Sequence, residues 1–145
     1  MNGPIDFFTT DHRRCDGLWA AVEAAADRGR GEALAAAYAP FAAAMERHFR
    51  MEEEVLFPAF EDATGMRGGG PTHVMRYEHA QMRGLMAQLD DAVARGATGD
   101  VLDLGDTLLM LVQQHNAKEE AMLYPMAERV LASDWPALAE RLAER

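Results

Sequence analysis

The sequence predicts an all-α protein: an up-down-up-down four-helix bundle with an internal pseudo-two-fold duplication and a short C-terminal helix. Three observations carry this. Good helix formers (Ala, Leu, Glu, Met and Arg) are abundant. Apolar residues recur at helical spacing in four long segments, with no strand-like alternation of useful length. And one stretch is written twice. His48-Phe49-Arg50-Met51-Glu52-Glu53-Glu54-Val55-Leu56-Phe57-Pro58 returns 67 residues later as His115-Asn116-Ala117-Lys118-Glu119-Glu120-Ala121-Met122-Leu123-Tyr124-Pro125. The same shift takes Asp11-His12 to Glu78-His79. Self-similarity at one fixed offset marks an internal repeat.

The elements follow in order. Residues 1–8 read as an irregular lead-in, and Thr9 or Thr10 is placed to cap a first helix running to about Arg28. Its apolar stripe is Phe8, Cys15, Trp19, Val22 and Ala26, with His12 in the same row. Gly29-Arg30-Gly31 breaks it. A second helix from about Glu32 to Asp62 carries Leu34, Tyr38, Phe41, Met45, His48, Glu52, Val55 and Ala59, with Pro40 and Pro58 expected to kink it or split off its ends. After the glycines of 65–70, Pro71 opens a third helix to about Arg95, with Met75, His79, Met82, Met86, Leu89 and Val93 on its stripe. The fourth, from about Asp100 to Leu131, carries Leu104, Leu108, Leu111, His115, Glu119, Met122 and Met126. Ser133-Asp134-Trp135-Pro136 starts the short tail helix.

At 145 residues, 49% of them hydrophobic, the chain reads as one domain, residues 1–145, with a sizeable core. No apolar run is long enough to span a membrane, and residues 1–10 lack the pattern of a secretory signal. A net charge of −10 argues against a nucleic-acid partner. The single cysteine, Cys15, fits a cytoplasmic setting. Monomer and homodimer are both compatible with the pattern.

The chemistry sits where the duplication is strongest. The midpoint between His12 and His48 is residue 30, and that between His79 and His115 is residue 97, each inside a turn. Residues equidistant from a tight turn lie at one height on two antiparallel helices. His48/Glu52 and His115/Glu119 are i,i+4 pairs, and each falls on the apolar stripe. Four imidazoles and two carboxylates therefore point into a core with no Lys or Arg beside them on the stripe. Buried carboxylates without partners are costly, and a bound cation is the economical partner. Six donors exceed one tetrahedral site. They suit two metals bridged by Glu52 and Glu119, with His12 and His48 on one and His79 and His115 on the other. Mixed imidazole and carboxylate donors suit iron, with manganese or zinc also admitted. The opposite order, Glu-x-x-His, which marks ferritin-like di-metal bundles, is absent.

Residues beside these receive plainer roles. His73 is read as a surface histidine, and Cys15, Phe57 and Tyr124 as packing. Glu53 and Glu120 are read as solvated or as supporting a ligand from behind. Asp11 and Glu78 are read as exposed helix carboxylates, with the orienting of a histidine as the sharper role.

In combination, the paired His-x-x-x-Glu-Glu-x-x-Leu-aromatic-Pro blocks and the upstream Asp-His and Glu-His resemble the hemerythrin-like (HHE cation-binding) family over residues 8–131. The resemblance implies a non-haem di-iron centre with an oxo or hydroxo bridge. It implies His12, His48, His79 and His115 as terminal ligands and Glu52 and Glu119 as bridges. Oxygen-carrying members have a further histidine where this chain has Met75. The four-His, two-Glu set instead resembles members linked to nitric oxide handling, iron–sulfur repair and iron sensing. The leading expectation is a di-iron protein binding a small diatomic ligand, oxygen or nitric oxide, as sensor, scavenger or carrier. The alternatives are a redox enzyme acting on nitric oxide or peroxide, an iron donor in cluster repair, or a structural zinc-binding bundle. Binding and turnover both stay open at this level.

Overall fold

The structure is a computed structural model and describes residues 2–145. Its helices are α1 (Pro4–Asp27), α2 (Gly31–Met51), α3 (Phe57–Thr64), α4 (Pro71–Ala94), α5 (Thr98–Lys118), α6 (Tyr124–Val130) and α7 (Trp135–Ala143). Two five-residue π turns, Glu52–Leu56 and Glu119–Leu123, join α2 to α3 and α5 to α6 without a break. Four helical rods result. They form a ring in which α1 packs on α2, α2 on α4, α4 on α5 and α5 on α1. This is the predicted up-down-up-down bundle.

The glycine turns end α1 and α4 in the same way. Gly29 and Gly96 adopt φ of 66° and 65°, a left-handed conformation that favours glycine. Arg30 N–H reaches back to the Ala25 carbonyl (3.2 Å), and Ala97 N–H to that of Ala92 (2.9 Å). Each is a Schellman close, which satisfies carbonyls left over at a helix end.

The expected lead-in is corrected. α1 begins at Pro4, five residues before Thr9, with Pro4 in the first turn, where its missing N–H costs nothing. The capping group comes from α6: Ile5 N–H donates to Glu128 Oε1 at 3.3 Å. A Cβ at Gly3 would collide with that carboxylate. The 67-residue shift carries Gly3-Pro4 onto Gly70-Pro71, which opens α4 in the same way.

The prolines are corrected too. Pro40 sits inside a continuous α2. Pro58 lacks an N–H, and its ring crowds the preceding turn. The helix does not stop there; it widens into the π turn just upstream. The Glu53 carbonyl, close to the donor that Pro58 removes, accepts from Arg76 Nη1 at 3.4 Å.

The π turn also corrects the fourth stripe. Leu108, His115 and Glu119 are buried as expected, but Met122 is 51% exposed. Leu123 and Tyr124 are buried in its stead. Nearer the turn, Val101, Gly105 and Val112 are buried, and Leu104 and Leu111 lie half-buried at the edge.

The core falls into two apolar clusters. One, near the turns, centres on Trp19, Val22, Leu34, Phe41, Leu89 and Leu108. The other lies at the opposite end around Phe8, Phe57, Phe60, Leu123 and Tyr124, closed by Trp135, Leu138 and Leu142, as the predicted tail helix packs on the bundle. Between the two runs a buried polar layer containing His12, His48, Glu52, His79, His115 and Glu119.

Candidate metal centre

Each rod brings one histidine to the polar layer: His12 from α1, His48 from α2, His79 from α4 and His115 from α5. The glutamates come from the first residue of each π turn, one helical turn beyond His48 and His115. All six residues lie at 4% exposure or less. The six residues expected at the site thus meet in one place, while His73 lies exposed on α4, as expected.

The histidines are held from behind. Nδ1 of His48 is 2.8 Å from Asp11 Oδ2, and Nδ1 of His115 is 2.9 Å from Glu78 Oε1. Nδ1 of His12 is 2.7 Å from Glu120 Oε2, and Nδ1 of His79 is 2.6 Å from Glu53 Oε2. An ionised carboxylate only accepts, so each Nδ1 carries the hydrogen and each Nε2 is turned inward. The carboxylates are held in turn by cations: Asp11 by Arg14 (3.7 Å), Glu120 by Arg13 (3.3 Å), Glu53 by Arg83 (2.8 Å) and Glu78 by Lys118.

Inside, the donors crowd one another. Nε2 of His12 is 3.0 Å from Glu119 Oε1, and Nε2 of His79 is 3.0 Å from Glu52 Oε1. His115 Nε2 lies 3.2 Å from Glu119 Oε2, and His48 Nε2 3.5 Å from Glu52 Oε1. Of these four contacts only that of His12 has hydrogen-bond direction. Nε2 of His48, His79 and His115, Oε1 of Glu52 and Oε2 of Glu119 are buried polar atoms with no hydrogen-bond partner. Native structures leave few such atoms, and each asks for an explanation. A cation in their midst satisfies all five. The donor atoms gather into two groups, each within 4.8 Å: Glu52, His79, His115 and Glu119, and His12, His48 and Glu119. The donor set fits two metal ions.

Charge follows the geometry. Burial opposes a cation on His48, but Glu52 and Asp11 outweigh it and raise its pKa to about 10. Burial likewise opposes a cation on His79, yet Glu52 and Glu53 raise it to about 9. Glu52 would rise on burial, but His48 and His79 hold it well below the usual carboxylate range. Glu53, half-buried, is brought down to about 2 by His79 and Arg83. Without metal, the layer keeps Glu52 and Glu53 ionised and draws protons onto His48, His79 and His115, so positive charge collects where ions would sit.

One role read from the sequence is sharpened and one changes. Of the two readings of Asp11, Glu53, Glu78 and Glu120, the supporting one holds: each clamps one histidine. The signal was available, since Asp11/Glu78 and Glu53/Glu120 obey the same 67-residue shift as the ligands. Tyr124, read as packing, is a site residue. Its hydroxyl lies 2.6 Å from Glu52 Oε2, 2.8 Å from Glu119 Oε1 and 3.1 Å from His12 Nε2. Burial, with Glu119 and Glu52 alongside, raises its pKa well above the ordinary value, so the metal-free phenol is a hydrogen-bond donor. Cys15 is buried, and burial pushes its thiol up to about 12, which keeps it protonated and inert. It lines a small apolar cavity beside His12, His48 and His115, with Met82 and Val112, big enough for about one water-sized molecule.

A family model described as "Hemerythrin HHE cation binding domain" matches residues 3–127. No curated protein and no solved structure gave a significant match.

Proposed function

Because the chain belongs to the hemerythrin HHE cation-binding family, we propose that it is a non-haem di-iron protein whose carboxylate-bridged centre binds a small diatomic molecule, oxygen or nitric oxide, as sensor, scavenger or carrier. His12 and His48 hold one iron, His79 and His115 the other, and Glu52 and Glu119 bridge them. The observation that supports this best is the set of five unpartnered donor atoms, all on these residues, facing one another in a buried layer.

When bound, the two irons supply the redox electrons and an open coordination position. The chain's residues do the rest. Asp11, Glu53, Glu78 and Glu120 fix the tautomer and aim of each imidazole and strengthen its basicity. Arg13, Arg14, Arg83 and Lys118 keep those carboxylates ionised. Phe49 packs 4.3 Å from the His79 ring and Phe8 5.7 Å from that of His48, which keeps bulk water away. The apolar cavity beside Cys15 admits a small uncharged molecule and suits no larger substrate. None of the described helices is long and apolar enough to cross a membrane.

The test is direct. Protein loaded with ferrous iron under anaerobic conditions should hold two irons per chain and change its visible spectrum on exposure to oxygen or nitric oxide. A colourless protein without iron after reconstitution would overturn the proposal.

A further inference from the structure

We infer that Tyr124 is a seventh donor to the centre: its phenolic oxygen coordinates the cation held by His12 and His48, which makes the two metal positions chemically unlike. The inference rests on the di-metal reading above and adds a ligand to it.

Three observations carry it. The first is shape. Tyr124 Oη, His12 Nε2 and Glu119 Oε1 form a triangle with edges of 3.1, 3.0 and 2.8 Å. Neighbouring donors around an octahedral ion bonded at about 2.1 Å stand about 3.0 Å apart. The triangle has the dimensions of one face of such an octahedron, and the phenol is one of its corners.

The second is hydrogen-bond arithmetic. A phenol has one hydrogen to give. Tyr124 faces two carboxylate oxygens at 2.6 and 2.8 Å and His12 Nε2 at 3.1 Å, with no water-exposed surface. One O–H cannot serve both carboxylates, and the unserved carboxylate meets a phenol lone pair. A cation seated behind the face removes that conflict by taking the phenol oxygen, the Glu119 oxygen and His12 Nε2 as donors and displacing the phenolic hydrogen to solvent.

The third is placement. Tyr124 follows Glu119 by five residues, which in an α-helix would turn its side chain about 140° away. The π turn Glu119–Leu123 brings it back onto the glutamate's face. Such single-turn π segments are frequent at functional sites. The other π turn brings Phe57 round in the same way, its ring stacked 5.7 Å from His79. Phe57 offers no donor. Only the His12/His48 position therefore gains a phenol oxygen, and the two positions differ in donor type.

The test is resonance Raman spectroscopy on iron-loaded protein oxidised in air, with iron counted per chain, for wild type and Tyr124→Phe. Wild type should hold two irons, show a visible phenolate-to-iron(III) charge-transfer band and show enhanced tyrosinate ring vibrations. Tyr124→Phe should keep two irons and lose band and vibrations entirely. Wild type with two irons and no tyrosinate vibrations overturns the inference while leaving the di-iron reading in place, whether or not the variant folds. Vibrations that persist in Tyr124→Phe overturn it as well, by pointing to Tyr38 or Tyr77. Wild type with no iron overturns both.

Discussion

The two hairpins, α1–α2 and α4–α5, descend from one pattern and differ in an informative way. The inner donors, the carboxylates behind them, both glycine turns and both Gly-Pro helix starts repeat under the 67-residue shift. The cations behind the carboxylates do not: the shift takes Arg13 to Ala80, Arg14 to Gln81 and Lys118 back to Met51. Nor do the largest core residues. Trp19 of α1 lies against Gly105 of α5, so closely that a Cβ there would fall inside the indole. The symmetric crossing is Met86 with Tyr38, whose hydroxyl reaches the Met86 carbonyl at 3.1 Å. One crossing pairs a very large residue with none, the other a medium with a large one. Groups that touch the centre are held to symmetry by the centre. Packing residues are held only to total volume, and surface cations only to charge.

The largest effect should come from the bridges. Glu119 belongs to both donor groups and Glu52 to only one. Both are proposed bridges, so Glu119→Ala and Glu52→Ala should each lose iron from both positions, Glu119→Ala the more completely; metal analysis per chain decides, and a Glu52→Ala protein that kept one full iron would show that Glu52 serves a single position. Next come the clamps. Glu53→Ala and Glu120→Ala should each weaken metal binding about 10–100-fold by chelator competition, alike in the two halves. A clamp that mattered in one half only would extend the asymmetry outward from Tyr124.

Gly105→Ala should destabilise the fold by about 1–3 kcal/mol in urea denaturation through overpacking against Trp19. Adding Trp19→Met should recover most of that, because it remakes the Met86 side of the comparison. An unchanged midpoint for Gly105→Ala would mean that the close crossing has slack.

The metal-free protein should respond to pH through the same layer. His48 and His79 have pKa values raised from 6.5 to about 10 and about 9. Their contribution to stability is complete below pH 6.5 and is lost as pH rises through 9 and 10. Glu53, lowered from 4.5 to about 2, contributes above pH 4.5 and loses that contribution as pH falls toward 2. Denaturation midpoints across this range should fall at both ends. Metal should abolish the alkaline loss, since ions then hold the positive charge that the protons supplied. The smallest effect is expected at the rim. Arg13 is 61% exposed, and Arg13→Ala should change stability by less than about 1 kcal/mol. Arg83, which grips Glu46 as well as Glu53, should cost more on removal to Ala.

The six inner donors were legible because metal geometry requires them at a common height on one helix face, and both demands leave a mark at a fixed spacing. The four clamps were legible in principle, by the same shift, but a carboxylate on a helix surface carries no sign of where it points. Met122 and Tyr124 were misread for a single reason: α-helical periodicity was carried through residues that form a π turn.

The amino-acid order by itself determined a duplicated four-helix bundle and the residues of its polar layer, since apolar stripes and repeated ligands are local patterns. The tertiary structure alone decided which carboxylate backs which histidine, that Trp19 fills the space Gly105 leaves, and that Tyr124 turns inward. Each of these joins residues between 26 and 108 positions apart, or depends on a one-residue widening of a helix. No pattern within a single helix encodes a distance across the bundle.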